Sequence, residues 1–549
     1  MSHVNFFALG GLDENGKNCY VIETENDIFI INAGAKVPIN TTYGVDTLIP
    51  DFSYLEKNKE KIRGVFITDV KNETFSALPW LVMQIPNLTI YSSPFNRILI
   101  MDRLNKYKIS PKEYKIEILK KENVFNDVTV RNFMVAGSMP GSVGYDFVTK
   151  DGDIIFLCNY VKGDLGIYGQ SSYEDIKKIT QNREILTVIT DAGHSNYSGY
   201  AIDKIVLPQM VKDAFLKTPD DARIIVGAYD EEMVAIDQIL NLALQTNRPV
   251  TAYGKTYAQL LFLLKKIKND INLPEIIEHK NLNKHPNAVI LVTGSIERLY
   301  SRFLRIAHNN DILLKLRPTD RVLMIAPPIN GIEALAAFAL DEVAKISPMI
   351  TDVTHHEYYS HRPAREDVVD LLKVLKPKYF IPVEGLYRYL IDISNYVSET
   401  FAKNEVTPIV LQNGKIAHFL NGKLFSTNGK IKPCGDTIID GFGIGDISTE
   451  VISERELLGR EGLVIVSLIF NSRTKEINSN IKTNYIGVIG REDKAEIDKL
   501  IKSVIIQVTQ DEQFKGLKDL QERLRKVIRK KIYKIYDKEP MVAITFNAD

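Results

Sequence analysis

A basic surplus is missing from these 549 residues: Lys+Arg and Asp+Glu both number 69, and the formal net charge is zero. Generic polyanion binders usually carry excess positive charge, so any contact with nucleic acid has to be local. Cysteine is scarce. Cys19, Cys158 and Cys434 lie far apart with no Cys-x-x-Cys pair, which argues against a disulfide framework and for a reducing cytosol. No window reaches the ~18 to 20 uncharged apolar residues of a membrane helix, and runs such as Ala334 to Leu340 are core-sized. Met1 to Gly10 lacks a basic stretch followed by an apolar run, so no signal peptide is evident. Histidine clusters once, at His355-His356 with His361, where a solvated loop is the simpler reading than a metal site. Gly10-Gly11 and Gly16 precede no Gly-Lys-Ser/Thr, so they mark a turn and not a phosphate loop.

What is present is ordinary for a soluble globular protein, 45% hydrophobic and 25% charged, at a length that suggests two to four domains. The N-terminal third reads as short strands with tight turns. Tyr20 to Glu23 and Ile28 to Ile31 form a hairpin, Gly64 to Thr68 is a buried strand ending in a loop, and Ala77 to Met83 and Phe95 to Asn105 are helices. Beyond about residue 200, amphipathic helices (Asp230 to Gln245, Tyr257 to Lys268) alternate with short strands (Arg223 to Val226, Val250 to Tyr253, Ala288 to Val292, Arg321 to Ile325), the pattern of a parallel α/β unit. Asp367 to Leu375 and Leu386 to Phe401 are helices flanking the strand Lys378 to Val383. The glycine-rich stretch Gly435 to Gly445 is the best linker candidate. A small α+β tail follows, with helices Asp493 to Val508 and Gln513 to Tyr536. The last helix sets an apolar stripe (Leu517, Leu520, Leu524, Val527, Ile528, Ile532) against a basic side from Arg523 to Lys534. That side is either a solvated face or a track for RNA phosphates.

Several phrases recur in register with a known family. Ala8-Leu9-Gly10-Gly11-Leu12 with Gly16-Lys17-Asn18 opens the chain, and Ile49-Pro50-Asp51-Phe52-Ser53-Tyr54-Leu55-Glu56 follows. Next come Ser138-Met139-Pro140-Gly141-Ser142-Val143-Gly144, Thr293-Gly294-Ser295, Lys376-Pro377-Lys378-Tyr379-Phe380-Ile381-Pro382-Val383 and Glu539-Pro540-Met541. Together they resemble ribonuclease J, a bacterial exo- and endoribonuclease of the metallo-β-lactamase, β-CASP group, over essentially the whole chain. The resemblance is to the degenerate second paralogue of bacteria that carry two. It implies an α/β protein: a metallo-β-lactamase-like αβ/βα sandwich (1–198 and 353–440), an inserted β-CASP α/β domain (199–352) and a C-terminal α+β assembly domain (441–549).

Active members of the family hold two zinc ions, or manganese or magnesium, on His and Asp, and these activate the water that attacks an RNA phosphodiester. Here the replacement is concerted. The His-x-His-x-Asp-His loop reads Asp69, Lys71, Glu73 and Thr74 at its ligand positions. The histidine before Ser138 is Gly137, the strand-end aspartate is Asn159, and the late histidine is Glu384. The Asp-Ala-Gly motif reads Asn32-Ala33-Gly34. The resemblance therefore implies no catalytic or metal site and no cofactor. Lys71 is expected to supply charge among the carboxylates, since buried unpaired carboxylates are costly; an oxygen-only site of Asp69, Glu73 and Glu384 is the alternative. The family's RNA 5′-phosphate phrase falls on Ser360, His361, Arg362, Pro363 and Ala364, with Glu231-Glu232 opposing phosphate where a Ser-Asn pair is usual. Asp191 matches a retained aspartate. The expected role is a cytoplasmic, oligomeric subunit of RNA degradation and rRNA processing. Its partners are RNA and an active ribonuclease J paralogue or a second copy, with no membrane. The runner-up is an active 5′-3′ ribonuclease with an altered metal site.

Overall fold

The computed structural model describes residues 2–37, 45, 47–253, 273–296, 298–329, 331–353, 362–440, 443–444, 449–470, 481–488, 494–511 and 516–548. The chain divides into two compact units, Met1–Ile39 with Thr47–Thr437, and Asn40–Asp46 with Ile438–Asp549.

Two sheets face each other in the larger unit. The first runs Lys423–Lys430, Lys415–Leu420, His3–Gly10, Cys19–Thr24, Ile28–Ile31, Ile62–Phe66, Leu88–Ser92, Tyr114–Ile118. The second runs Thr407–Pro408, Tyr379–Val383, Ile185–Asp191, Gly152–Leu157, Val143–Thr149, Thr129–Met134, Glu122–Val124. Their inner faces share one core, in which Phe29 and Phe66 of the first sheet meet Tyr145 and Phe147 of the second, ring centroids 5.6–5.7 Å apart. Helices Tyr173–Ile179, Arg365–Leu375 and Tyr387–Thr400 add their apolar stripes to that core. The hairpin expected at Tyr20 to Ile31 is there, with Tyr20 opposite Ile31 and Glu23 opposite Ile28. The layering is the metallo-β-lactamase-like α/β fold that the sequence led us to expect.

Within the same unit a parallel five-stranded sheet has the order Val250–Tyr253, Val289–Gly294, Ile224–Tyr229, Arg321–Met324, Met349–Asp352. Ile224, Val226 and Ala228 enter one apolar cluster and Ile225 and Tyr229 the other, so alternate side chains bury both faces. The expected helix from Asp230 begins instead at Met233. Asp230 to Glu232 form the turn at the strand's C-terminal end, where parallel sheets offer their crevice. The helix expected at Tyr257 to Lys268 lies outside the described residues.

In the smaller unit Lys482–Ile486, Leu463–Phe470 and Met541–Ala548 form a sheet. Helices Lys494–Asp511 and Leu517–Tyr536 pack on it through Ile497, Ile501, Leu520, Leu524, Ile528 and Ile532. Gly435 to Gly445 is more than a linker: Asp436–Asp440 is a strand, its Ile439 opposite Ile444. The β-branched run Thr437-Ile438-Ile439 outweighs the neighbouring glycines.

Candidate functional site

Strand Ile62–Phe66 ends in the loop that carries Asp69, Lys71, Glu73 and Thr74. Asp69, only 1% exposed, organises it. Its Oδ1 accepts from the Lys71 N–H (2.9 Å) and the Thr74 hydroxyl (2.7 Å). Its Oδ2 lies 3.2 Å from Thr68 Oγ1 and 3.4 Å from Asn159 Nδ2. A carboxylate offers about four acceptor sites, and all are engaged within the protein.

Two cations enter this loop. Arg362 Nη2 donates to Glu73 Oε1 at 2.8 Å, while Nη1 donates to the Glu384 carbonyl at 2.9 Å and lies 3.5 Å from Asp191 Oδ1. Lys71 Nζ reaches Glu232 Oε1 at 3.3 Å, both side chains less than a tenth exposed. Beside them the Asn72 N–H donates to Glu231 Oε1 at 2.6 Å. The two acidic residues at the end of strand Ile224–Tyr229 thus hold the loop from the insert side. The cavity left between Lys71, Glu73, Glu231, Glu232 and Arg362 is about 30 Å³, room for only a water or two.

The backbone takes unusual conformations at three of the expected positions. Asn32, Asn159 and Glu384 have φ of +64°, +53° and +55°. Asparagine tolerates this left-handed region, whereas glutamate pays in strain. Glu384 is held there by its N–H on the Gly11 carbonyl (3.0 Å) and by Arg362 on its own carbonyl. Two glycines shape the remainder. A Cβ at Gly193 would lie 2.4 Å from Arg362 Nη1, so the guanidinium occupies the place a side chain would take. A Cβ at Gly137 would lie 2.8 Å from Ser142 Oγ and 3.0 Å from the Asn159 carbonyl, so a histidine does not fit there without movement.

Six carboxyl groups (Asp69, Glu73, Asp191, Glu231, Glu232, Glu384) surround the two cations. Burial, reinforced by Asp191 and Glu73, pushes the Glu384 carboxyl well above its usual range. One of its oxygens accepts from Asn18 Nδ2 (2.9 Å), and the other has no hydrogen-bond partner among the described residues. Burial also raises Asp191, against the pull of Arg362, and raises Glu231 strongly with Asp230 beside it. Burial alone would lower the Lys71 ammonium, but Glu232 and Glu73 outweigh it and raise the pKa, so Lys71 stays charged. Retained protons and two internal cations together limit the negative charge.

This donor set does not fit the two-metal group of the resemblance. Asp69 is saturated, Glu73 is bound by Arg362, the Asn159 amide donates, Gly137 has no side chain, and an ammonium sits in the loop. Among the described residues no group of three or more His, Cys, Asp or Glu converges to hold a metal ion.

Residues 221–343 match the model described as Ribonuclease J, beta-CASP domain, and residues 450–547 the Ribonuclease J C-terminal domain. Ribonuclease J2 of Bacillus subtilis (strain 168) is 27% identical over 552 residues, 98% of either chain. The chain is similar to the ribonuclease J family along its length. Ribonuclease J 2 of Staphylococcus saprophyticus is 26% identical, covering 98% of this chain and 97% of its own. The Mycoplasma genitalium protein MG423, described as uncharacterized, is 28% identical over 97% of this chain and 95% of its own. The human short-form tRNase Z structure superposes with a TM-score of 0.25 at 16% identity, over 35% of this chain and 79% of that one.

Placed on the ribonuclease J frame, the expected positions Asn32, Asp69, Asn159 and Glu384 do come together, joined through Asp191 and Arg362. Lys71 lies beside them but turns to Glu232. Arg362, expected at an RNA phosphate, is turned inward onto carboxylates. Pro363 and Ala364 are buried at the start of helix Arg365–Leu375, where Asp367 Oδ2 accepts from the Ala364 N–H (3.0 Å). Ser360 and His361, like His355-His356, lie outside the described residues. Sequence reasoning missed Asn18, the partner of Glu384, and read Glu231-Glu232 only as hostile to phosphate. The available signal was charge: so many acids on one frame demanded cations, and Lys71 and Arg362 were the cations in the phrases already singled out.

Proposed function

We propose that this ribonuclease J-like chain is a non-catalytic or very weakly active subunit of RNA processing and mRNA decay, working in the cytoplasm beside an active ribonuclease J. The observation that carries the reading is the Arg362 guanidinium lodged among Glu73, Asp191 and Glu384, where the family's metal chemistry would stand. A guanidinium keeps its proton and supplies positive charge, but it cannot deliver an activated water. The cavity beside it is also too small for a phosphodiester. The domain boundaries proposed are 1–198, 199–352, 353–440 and 441–549.

The test is decay of a 5′-monophosphorylated RNA by the chain alone, by an active ribonuclease J alone, and by the mixture. No decay by the chain alone, with altered rate or cleavage pattern in the mixture, is expected. Robust Mn²⁺-dependent decay by the chain alone, abolished by Asp69→Ala, would establish the active-ribonuclease reading instead. Failure to associate with any active ribonuclease J would remove the partner role.

A further inference from the structure

Helix Leu517–Tyr536 is a second concentration of charge, and the buried site makes no use of it. From Arg523 to Lys534 it carries seven cations and no acid. Arg523 pairs with Asp519 (3.1 Å) and Arg529 with Glu539 (2.6 Å). Arg525, Lys526, Lys530, Lys531 and Lys534 are exposed, and no ion pair to them is formed among the described residues. Leu520, Leu524, Ile528 and Ile532 are at most 1% exposed, so the helix is fixed from behind by its own core. Lys526, Lys530 and Lys534 follow one another at steps of about 6 Å along the axis. Tyr533, 48% exposed, stands beside that line.

Like charges four residues apart destabilise a helix by a few tenths of a kcal/mol each. This surface repeats that penalty, while the rest of the chain carries a net excess of acids. A ligand with regularly spaced negative charge relieves it.

We propose that this face binds single-stranded RNA, the cations on successive phosphates and Tyr533 as a stacking surface for a base. The inference rests on the reading of the chain as an RNA-decay protein. A single strand is favoured over a duplex on two grounds. Side chains cannot read the deep, narrow major groove of A-form RNA, and an exposed ring stacks only on a base already free of its neighbours.

Fluorescence anisotropy of a labelled oligouridylate, titrated with the full chain across a salt series, tests this. Five phosphate contacts on a single strand correspond to a slope of log Kobs on log salt of about −3.5, or roughly a 100-fold loss between 50 and 200 mM salt. The variant with Arg525, Lys526, Lys530, Lys531 and Lys534 all changed to Gln is expected to lose most of that slope while keeping its circular dichroism and melting temperature. Tyr533→Ala is expected to weaken binding about tenfold with the slope unchanged. A folded five-Gln variant with wild-type affinity and slope overturns the proposal and leaves the RNA-decay reading standing. Loss of association with an active ribonuclease J, with RNA binding intact, makes the face a protein contact and overturns it equally. Wild-type chain that binds no RNA at any salt sinks both readings together.

Discussion

Two buried acidic regions of the larger unit solve the same problem differently. Asp146, on strand Val143–Thr149, is fully buried, and its closest cation, Arg131 Nη1, is 3.6 Å away, beyond hydrogen-bond reach. Neither of its oxygens has a hydrogen-bond partner among the described residues. Burial, then Asp153, pushes its carboxyl up to about 8 despite Arg131 and Arg183. The carboxyls around the Asp69 loop instead receive a guanidinium and an ammonium from separate segments of the chain. A single buried acid can keep its proton, but a group of six cannot do so at tolerable cost and needs cations of its own. Lys71 and Arg362 are therefore part of the charge balance of this frame.

Removing Arg362 should break that balance hardest. Arg362→Ala strips Glu73 and Asp191 of their guanidinium and frees the Glu384 carbonyl, and a loss of about 3–5 kcal/mol is expected in denaturant unfolding near pH 7. Arg362→Lys should recover only part, because a point charge cannot hold two partners in the fork geometry. An unchanged unfolding midpoint for Arg362→Ala would end the charge-balance account. Lys71→Met is expected to cost less, about 2–3 kcal/mol, since the methionine keeps the packed stem and only Glu232 loses a direct partner. The double variant Lys71→Met/Glu232→Met should return most of it, because the uncompensated buried charge is gone. Additive losses would mean that the two residues are not energetically coupled.

How much of this was legible beforehand differs between frame and filling. The strands and helices could be read because their apolar periods are strong: alternate burial in Ile224 to Tyr229, and the four-residue steps Leu520, Leu524, Ile528, Ile532. Asn32, Asp69, Asn159 and Glu384 could be singled out as candidate positions because they sit in phrases with fixed spacing. Arg362 as the inward cation was not legible. Its partners lie up to 289 residues away in sequence, and a gapless match onto a phosphate-binding phrase says nothing about which way a long side chain turns. Gly137 was singled out from its phrase, but its close packing against Ser142 and the Asn159 carbonyl was not legible.

A pH dependence sharpens the contrast from the other side. Across the window between the ordinary aspartate pKa near 4 and the folded value of about 8, the unfolded chain has released the Asp146 proton while the folded chain keeps it. The unfolded state then binds fewer protons, so stability falls as pH rises through that window. Asp146→Asn removes this dependence. Glu384 and Asp191 shift in the same direction but are present in both proteins, so the difference between the two unfolding curves isolates Asp146. The buried amide lowers the variant by a constant amount at every pH, so the difference between the two curves should change by about 4 kcal/mol in the variant's favour from pH 4 to pH 7, whatever its starting offset. Parallel pH profiles would show that Asp146 ionises normally where it is. A carboxylate would then sit buried in this fold with only Arg131 at 3.6 Å and no hydrogen bond, and the need for both Arg362 and Lys71 around the Asp69 loop would lose its physical basis.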